Sequence, residues 1–263
     1  MLIDFHVHLF PDNLAGRTLE HLAKIAQAPY YTQGTVTDTL RRMDEAGVDV
    51  GVVQHIATKP SQQKTINKFA ASIQNERLVC FGTVHPDAED VMEELYRIRE
   101  LGLKGVKLHP DYQGFNVDDI RLKPLYKKIS ELGLITVFHA GFDYGFAPPY
   151  GATPDKMARA LEWFSTPVVA AHWGGINCNE DVIKYLCGKD IYFDISFGYA
   201  MMPKYYAEKI MSLHTPDRML FGTDTPWHTP DMEKRLLNTL GLSVEDMDKI
   251  THKNAGKLLG IEK

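Results

Sequence analysis

The sequence predicts a single (β/α)8 barrel, the TIM-barrel architecture, and three observations carry that reading. The 263 residues match the roughly 250 that such a barrel takes. Eight short apolar runs alternate with amphipathic stretches, with no linker or composition shift to divide the chain. Six of the eleven histidines fall at or just beyond the carboxyl end of an apolar run, where parallel barrels gather their chemistry.

The apolar runs occupy residues 2–5, 50–54, 78–84, 103–108, 134–138, 167–171, 191–195 and 219–222. Their near-continuous apolar character suits parallel strands buried on both faces. An open doubly wound sheet is the competing arrangement, but the first turn carries no G-x-G-x-x-G. Between the runs, Thr37 or Asp38 can cap a helix that stops at Gly47. Asp87 can cap the next, which puts Val91, Leu95, Ile98 and Leu101 on one stripe and ends at Gly102. Asp118 or Asp119 opens a helix ending at Gly133, Thr153-Pro154 starts another with proline at its first position, and residues 243–259 read as one or two closing helices. Residues 11–36 are too long for a plain turn. They form an insertion after the first strand, either packing filler or part of a lid. The whole chain, 1–263, is one domain.

Composition narrows the function classes. A hydrophobic fraction of 44% with 24% charged residues is that of an ordinary soluble globular chain. The net charge of −5 shows no basic stripe to neutralise phosphates, which argues against a nucleic-acid partner. No apolar run approaches the ~20 residues of a membrane helix, and Asp4 and His6 interrupt the first segment, which is therefore no signal peptide. Cys80, Cys178 and Cys187 form no C-x-x-C pair, a count that fits a reducing compartment and a cytoplasmic protein. The expected partner is a small-molecule substrate, with a homodimer left open.

Strand alternation sharpens the histidine pattern. If Ile3, Phe5 and Val7 face the helices, then Asp4, His6 and His8 face the barrel interior. The same parity turns Ile135, Val137 and His139 inward, likewise Val168, Ala170 and His172, and Leu220, Gly222 and Asp224. An isolated His-x-His is structural more often than not, and Asp224 alone can cap a helix. Several strands delivering such groups to one opening make a site. His6, His8, His139 and Asp224, three imidazoles and a carboxylate, suit one Zn2+ with a further position open for water. Without sulfur ligands, Mn2+, Co2+, Ni2+ or Fe2+ can take its place.

In combination these motifs resemble the amidohydrolase superfamily. Ile3-Asp4-Phe5-His6-Val7-His8 is similar to its first-strand motif. Gly105-Val106-Lys107-Leu108-His109-Pro110, Phe138-His139-Ala140, Ala171-His172-Trp173-Gly174-Gly175 and Phe221-Gly222-Thr223-Asp224-Thr225-Pro226 follow in the family's order, and Asn254–Leu259 resembles its final helix. The branch it resembles most is the amidohydrolase-related one that includes aminocarboxymuconate-semialdehyde decarboxylase. The resemblance implies that His6, His8, His139 and Asp224 ligate the metal, with His172 and Asp224 catalytic. It disfavours the TatD-like nucleases, which carry a glutamate where Lys107 stands and Glu-Thr-Asp where this chain has Gly222-Thr223-Asp224.

Other members carboxylate a fourth-strand lysine to bridge two metals. The plainer expectation for Lys107 is a cation paired with Asp111, Asp143 or a substrate carboxylate, and a second ion enters only if Lys107 is carboxylated. Lys107, His109, Trp173 and His228 are candidate substrate contacts, although His109 reads more simply as a loop cap. Phe10, Phe142, Tyr144, Phe146, Tyr150 and Trp227 follow strand ends and can add an apolar wall. The expected activity is hydrolysis of a small-molecule amide, ester or lactone through a metal-activated water. The alternative is non-oxidative decarboxylation of an aromatic or unsaturated acid, a lyase reaction. The residues named so far do not separate the two.

Overall fold

A computed structural model describes residues 1–261. The eight apolar runs become eight strands: β1 (Ile3–Val7), β2 (Val50–Gln54), β3 (Leu78–Phe81), β4 (Gly105–Leu108), β5 (Ile135–Phe138), β6 (Val168–Ala170), β7 (Tyr192–Asp194) and β8 (Met219–Leu220). Regular ladders run β1-β2-β3 and β4-β5-β6-β7-β8, every pair parallel. Backbone hydrogen bonds close both seams. Gly82 N donates to Gly105 O at 2.8 Å and Lys107 N to Gly82 O at 2.9 Å, which joins β3 to β4. Phe5 N donates to Phe221 O and Asp224 N to His6 O, each at 2.8 Å, which joins β1 to β8. The sheet thereby returns on itself. At the first seam only glycine fits, because a Cβ on Gly105 would lie 2.4 Å from Ile135 O and 2.5 Å from the Phe81 ring.

The strands divide their side chains between two cores. Ile3, Phe5, Val52, Phe81, Val137, Val169 and Leu220 share the inner one, with Ala255 and Leu259 packed among them. Val106, Leu108, Phe138, Ala170 and Phe193 join the outer one, with Leu95, Ile98, Ile129, Val182 and Ile210 from the helices. Two expected parities are corrected here. On β1, Ile3 and Phe5 face the interior, while Asp4 faces out and accepts from Thr223 N at 2.9 Å and Thr223 Oγ1 at 2.6 Å. The ladder register shifts between Asp4 and Val7, and that bulge brings His6 to the inner face after Phe5. On β6, Val169 rather than Val168 and Ala170 packs inside. His172 reaches the interior because the chain leaves the strand in left-handed backbone, with φ of 58° at His172 and 59° at Trp173.

The helices are α1 (Asp12–Ala26), α2 (Val36–Ala46), α3 (Gln63–Ile73), α4 (Val91–Glu100), α5 (Pro110–Gln113), α6 (Lys123–Glu131), α7 (Pro154–Ala160), α8 (Asn179–Tyr185), α9 (Lys204–His214), α10 (Pro230–Asn238), α11 (Val244–Asp248) and α12 (Asn254–Leu259). Their ends follow turn and cap chemistry, with two shifts from expectation. Thr35, not Thr37 or Asp38, caps α2, its Oγ1 accepting from Asp38 N at 3.2 Å. Asp90, not Asp87, precedes α4. Asp119 caps a short 3-10 turn that leads into α6, and Thr153 precedes Pro154 at the start of α7. No helix of the described residues is long and apolar enough to cross a membrane.

The insertion folds as α1 and a returning loop. Ala15 and Leu19 bury one side of α1, with Leu19 beside Gly34 of the returning loop. The loop is pinned by Phe10 N to Gly34 O at 2.8 Å and Tyr31 N to Pro226 O at 2.7 Å. The segment therefore lies over the carboxyl ends of β1 and β8, beside the histidines.

Candidate active site

Three ligand-capable atoms converge where β1 and β8 end. His6 Nε2 lies 3.1 Å from His8 Nε2 and 3.2 Å from Asp224 Oδ1, and His8 Nε2 lies 3.1 Å from the same oxygen. Each imidazole is aimed from behind. His6 Nδ1 meets Asp194 Oδ2 at 2.9 Å, and His8 Nδ1 donates to Gln54 O at 2.7 Å. With Nδ1 so engaged, the Nε2 lone pairs point at the common space, the arrangement by which carboxylates and carbonyls orient metal-binding histidines. The donor set fits a divalent cation such as zinc. Asp224 sits there in left-handed backbone, φ 65°, a strained placement of the kind found at functional sites.

His172 stands next to this trio. It has a ring nitrogen within 4.8 Å of ligand atoms of His6 and Asp224, and its ring stacks on His6 at 5.0 Å between centroids. Its Nδ1 lies 2.9 Å from Ser196 Oγ, which in turn hydrogen-bonds Asp194. Its Nε2 lies 3.1 Å from His139 Nδ1. His139 thus joins the group through His172, with its own Nε2 at 3.1 Å from Phe142 O. His139 also stacks on His109 at 4.1 Å, and His109 Nε2 pairs with Asp143 Oδ2 at 3.1 Å. His109, His139 and Asp143 make a second potential ligand group adjoining the first.

Asp194 is the residue the sequence reading missed. It is fully buried and divides its oxygens between the two histidine roles. Oδ2 faces His6, while Oδ1 accepts from His172 N at 3.0 Å and Ser196 N at 3.1 Å. The signal was present in Tyr192-Phe193-Asp194-Ile195-Ser196, an acid and a hydroxyl two residues apart at the end of an apolar strand.

Burial governs the electrostatics. It drives His6 and His172 well below the ordinary imidazole range, helped at both by Lys107 and neighbouring rings, and brings His139 down to about 3. Burial alone would raise Asp224, but His6, His8 and Lys107 outweigh it and hold the carboxyl below its usual range. Lys107 is brought down to about 8 by burial, against the pull of Asp194 and Asp224. Its Nζ lies 3.2 Å from His6 Nε2. The expected partners of Lys107 are corrected: Asp143 pairs with His109, and Asp111 holds Gly151 N at 2.8 Å.

The site opens into a cavity of about 770 Å³. His6, His8, Lys107, His109, His139, His172 and Asp224 all line it. Of the candidate substrate contacts, Trp173 and His228 are not among the lining residues. Trp173 is buried at 1% exposure behind the wall, and His228 Nδ1 is held by Glu233 Oε1 at 2.6 Å. His109 serves as a loop cap, its Nδ1 accepting from Tyr112 N at 3.4 Å, and also faces the cavity. Phe10, Tyr144 and Trp227 contribute to the wall as expected, whereas Phe142, Phe146 and Tyr150 do not. Phe69, Tyr112 and Phe197 take their place. Phe197 lies face to face on His228 at 4.3 Å and edge-on to His172 at 6.3 Å.

Comparisons with known proteins bear on the family and the fold. A family model described as Amidohydrolase matches residues 3–261. No curated protein matches. An uncharacterized TIM-barrel protein from Bordetella bronchiseptica is similar in structure, with 21% identity, a TM-score of 0.78, and 99% of this chain and 98% of that one covered. 5-Carboxyvanillate decarboxylase from Sphingomonas paucimobilis is similar at 15% identity and a TM-score of 0.72, with 99% of both chains covered. A putative 2-pyrone-4,6-dicarboxylic acid hydrolase from Pseudomonas putida is similar at 18% identity and a TM-score of 0.69, covering 100% of this chain and 98% of that one. At these identities the likeness is one of fold.

Proposed function

The chain belongs to the amidohydrolase family, and from that premise we propose that it is a metal-dependent hydrolase of a small-molecule amide, ester or lactone. The carrying observation is the convergence of His6 Nε2, His8 Nε2 and Asp224 Oδ1 within 3.1–3.2 Å of one another, each imidazole braced from behind. These three atoms would hold the cation; for His139 to be the fourth ligand, its ring must turn from the contacts it makes here, Nε2 to Phe142 O and Nδ1 to His172 Nε2. A divalent ion bound there supplies Lewis-acid polarisation of a carbonyl and a lowered pKa for water.

The chain's own residues move the protons. Asp224, ionised among imidazoles, is the first acceptor of the attacking water's proton. His172, neutral and held at Nδ1 by Ser196, receives that same proton from Asp224 and delivers it to the departing amine or alcohol. Asp194 keeps both His6 and His172 in place through one rigid carboxylate. The insertion acts as a lid: α1 narrows the mouth, which limits bulk water around the substrate.

One observation favours a second reading. Lys107 Nζ puts a cation at the floor of a largely apolar cavity, where it would draw in a substrate carboxylate, as decarboxylation of an aromatic or unsaturated acid requires. Turnover by the metal-loaded protein separates the two. Release of acid with amine or alcohol from a panel of amides, esters and lactones is the expected result. Carbon dioxide release from a panel of aromatic and unsaturated acids, with no hydrolysis, would replace the first reading by the second.

A further inference from the structure

We propose that the cavity-facing side of α1 is a subsite for a negatively charged group, so that the substrate is an elongated organic anion. Its reactive carbonyl lies at the histidines, its apolar body along the aromatic wall, and its carboxylate or similar oxyanion against Arg17 and His21. The inference rests on the hydrolase reading for the site at the other end of the cavity.

Leu14, Arg17, Thr18, His21 and Leu22 all line the cavity, and their spacing of three and four residues places them on one helix face. Ala15 and Leu19, on the other side, are buried, Leu19 beside Gly34 of the returning loop, so the orientation of α1 is set by packing. A second contact fixes its far end: the loop after β5 comes so close that a Cβ on Gly145 would lie 2.7 Å from Ile25 Cγ2. Arg17 and His21 are one turn apart on this fixed face.

Arg17 and His21 are both exposed at the edge of the cavity. Neither forms an ion pair among the described residues. The acids that line the cavity are already engaged, Asp143 by His109 at 3.1 Å and Asp224 by His6 and His8 at 3.2 and 3.1 Å. Ile66, Phe69, Phe197 and Trp227 give the wall a largely apolar stretch. A guanidinium at the edge of such a surface is the side chain best matched to a planar carboxylate, which it can hold through two parallel hydrogen bonds. The rim is open to water, so the contribution is moderate and falls with salt.

Two series of hydroxamates of graded chain length test this by calorimetry on the zinc-loaded protein. One series ends in a carboxylate and the other in a methyl group, while the hydroxamate serves as metal-directed anchor in both. At the best length the carboxylate-ended member is expected to bind about tenfold tighter, and the preference should vanish in Arg17→Met and shrink in high salt. His21→Ala should reduce the preference without abolishing it. Metal-dependent binding of both series with equal affinity, or an unchanged preference in Arg17→Met, would overturn the subsite while leaving the metal site standing. Binding indifferent to removal of the metal would remove the hydrolase reading and the subsite together.

Discussion

Replacing Asp194 by asparagine tests whether one buried carboxylate aims both halves of the site. The side chain is 0% exposed and its two oxygens have unequal duties. Oδ1 accepts from two backbone donors, His172 N at 3.0 Å and Ser196 N at 3.1 Å, as well as from Ser196 Oγ; Oδ2 faces only His6 Nδ1, at 2.9 Å. Asparagine has one oxygen to share between them. Turning its amide toward the backbone donors would leave two buried N–H groups unpaired, at about 1–3 kcal/mol each. The oxygen therefore stays with the backbone and the NH2 group meets His6 Nδ1. His6 must then carry its proton on Nε2, the atom that faces His8 and Asp224. Disturbed partners behind a metal-binding histidine typically cost about 10–100-fold in metal affinity, equivalent to about 1.4–2.8 kcal/mol. Zinc affinity is read by titration against a competing chelator, with the melting temperature of the metal-free variant as a control on folding. Wild-type affinity in a folded Asp194→Asn protein would refute the reasoning.

Two further outcomes follow from the packing. His214 is fully buried, stacked on Phe193 at 3.9 Å with Nε2 donating to Ile191 O at 2.9 Å, and burial brings it down to about 4. Because the folded value lies below the unfolded one, its contribution is complete above about pH 6.5 and is lost as pH falls toward about 4. Urea unfolding at neutral pH and at about pH 4.5 should show wild type losing about 2–3 kcal/mol more than His214→Gln; parallel losses would contradict it. Gly105→Ala forces a methyl against Ile135 O of β5 and the Phe81 ring of β3 and should destabilise the barrel by about 3 kcal/mol or more, measured as the shift in urea midpoint; a shift worth less than about 1 kcal/mol would contradict this close packing around β4.

Much of this architecture was legible in the chain because a parallel barrel repeats one simple pattern. Each apolar run became a strand, and β2 has the bounds that its apolar run marked, Val50–Gln54. Local exceptions to strand alternation were not legible. Parity placed His6 and His172 inside for reasons that do not hold, since a register shift turns His6 inward and left-handed backbone at the end of β6 turns His172. Alternation describes regular strand only, and both residues lie where the strand becomes irregular. Asp194 and Ser196 were passed over because an acid in a strand forms no motif by itself; its meaning comes from His6 and His172, distant in sequence and adjacent only after folding. The aromatic wall was legible in kind but not in membership. Phe69 arrives from a helix and Phe197 from a left-handed turn, φ 57°, and neither follows from counting past a strand end.

Metal content bears most directly on the central claim that side chains from β1, β5 and β8 surround one cation. Purified wild type, His6→Ala, Asp224→Ala and His172→Ala would be loaded with zinc, desalted and measured by elemental analysis beside a melting curve for each. The account predicts about one equivalent in wild type and in His172→Ala, the latter without turnover, and little or none in folded His6→Ala and Asp224→Ala. Full zinc retention in folded Asp224→Ala would contradict it.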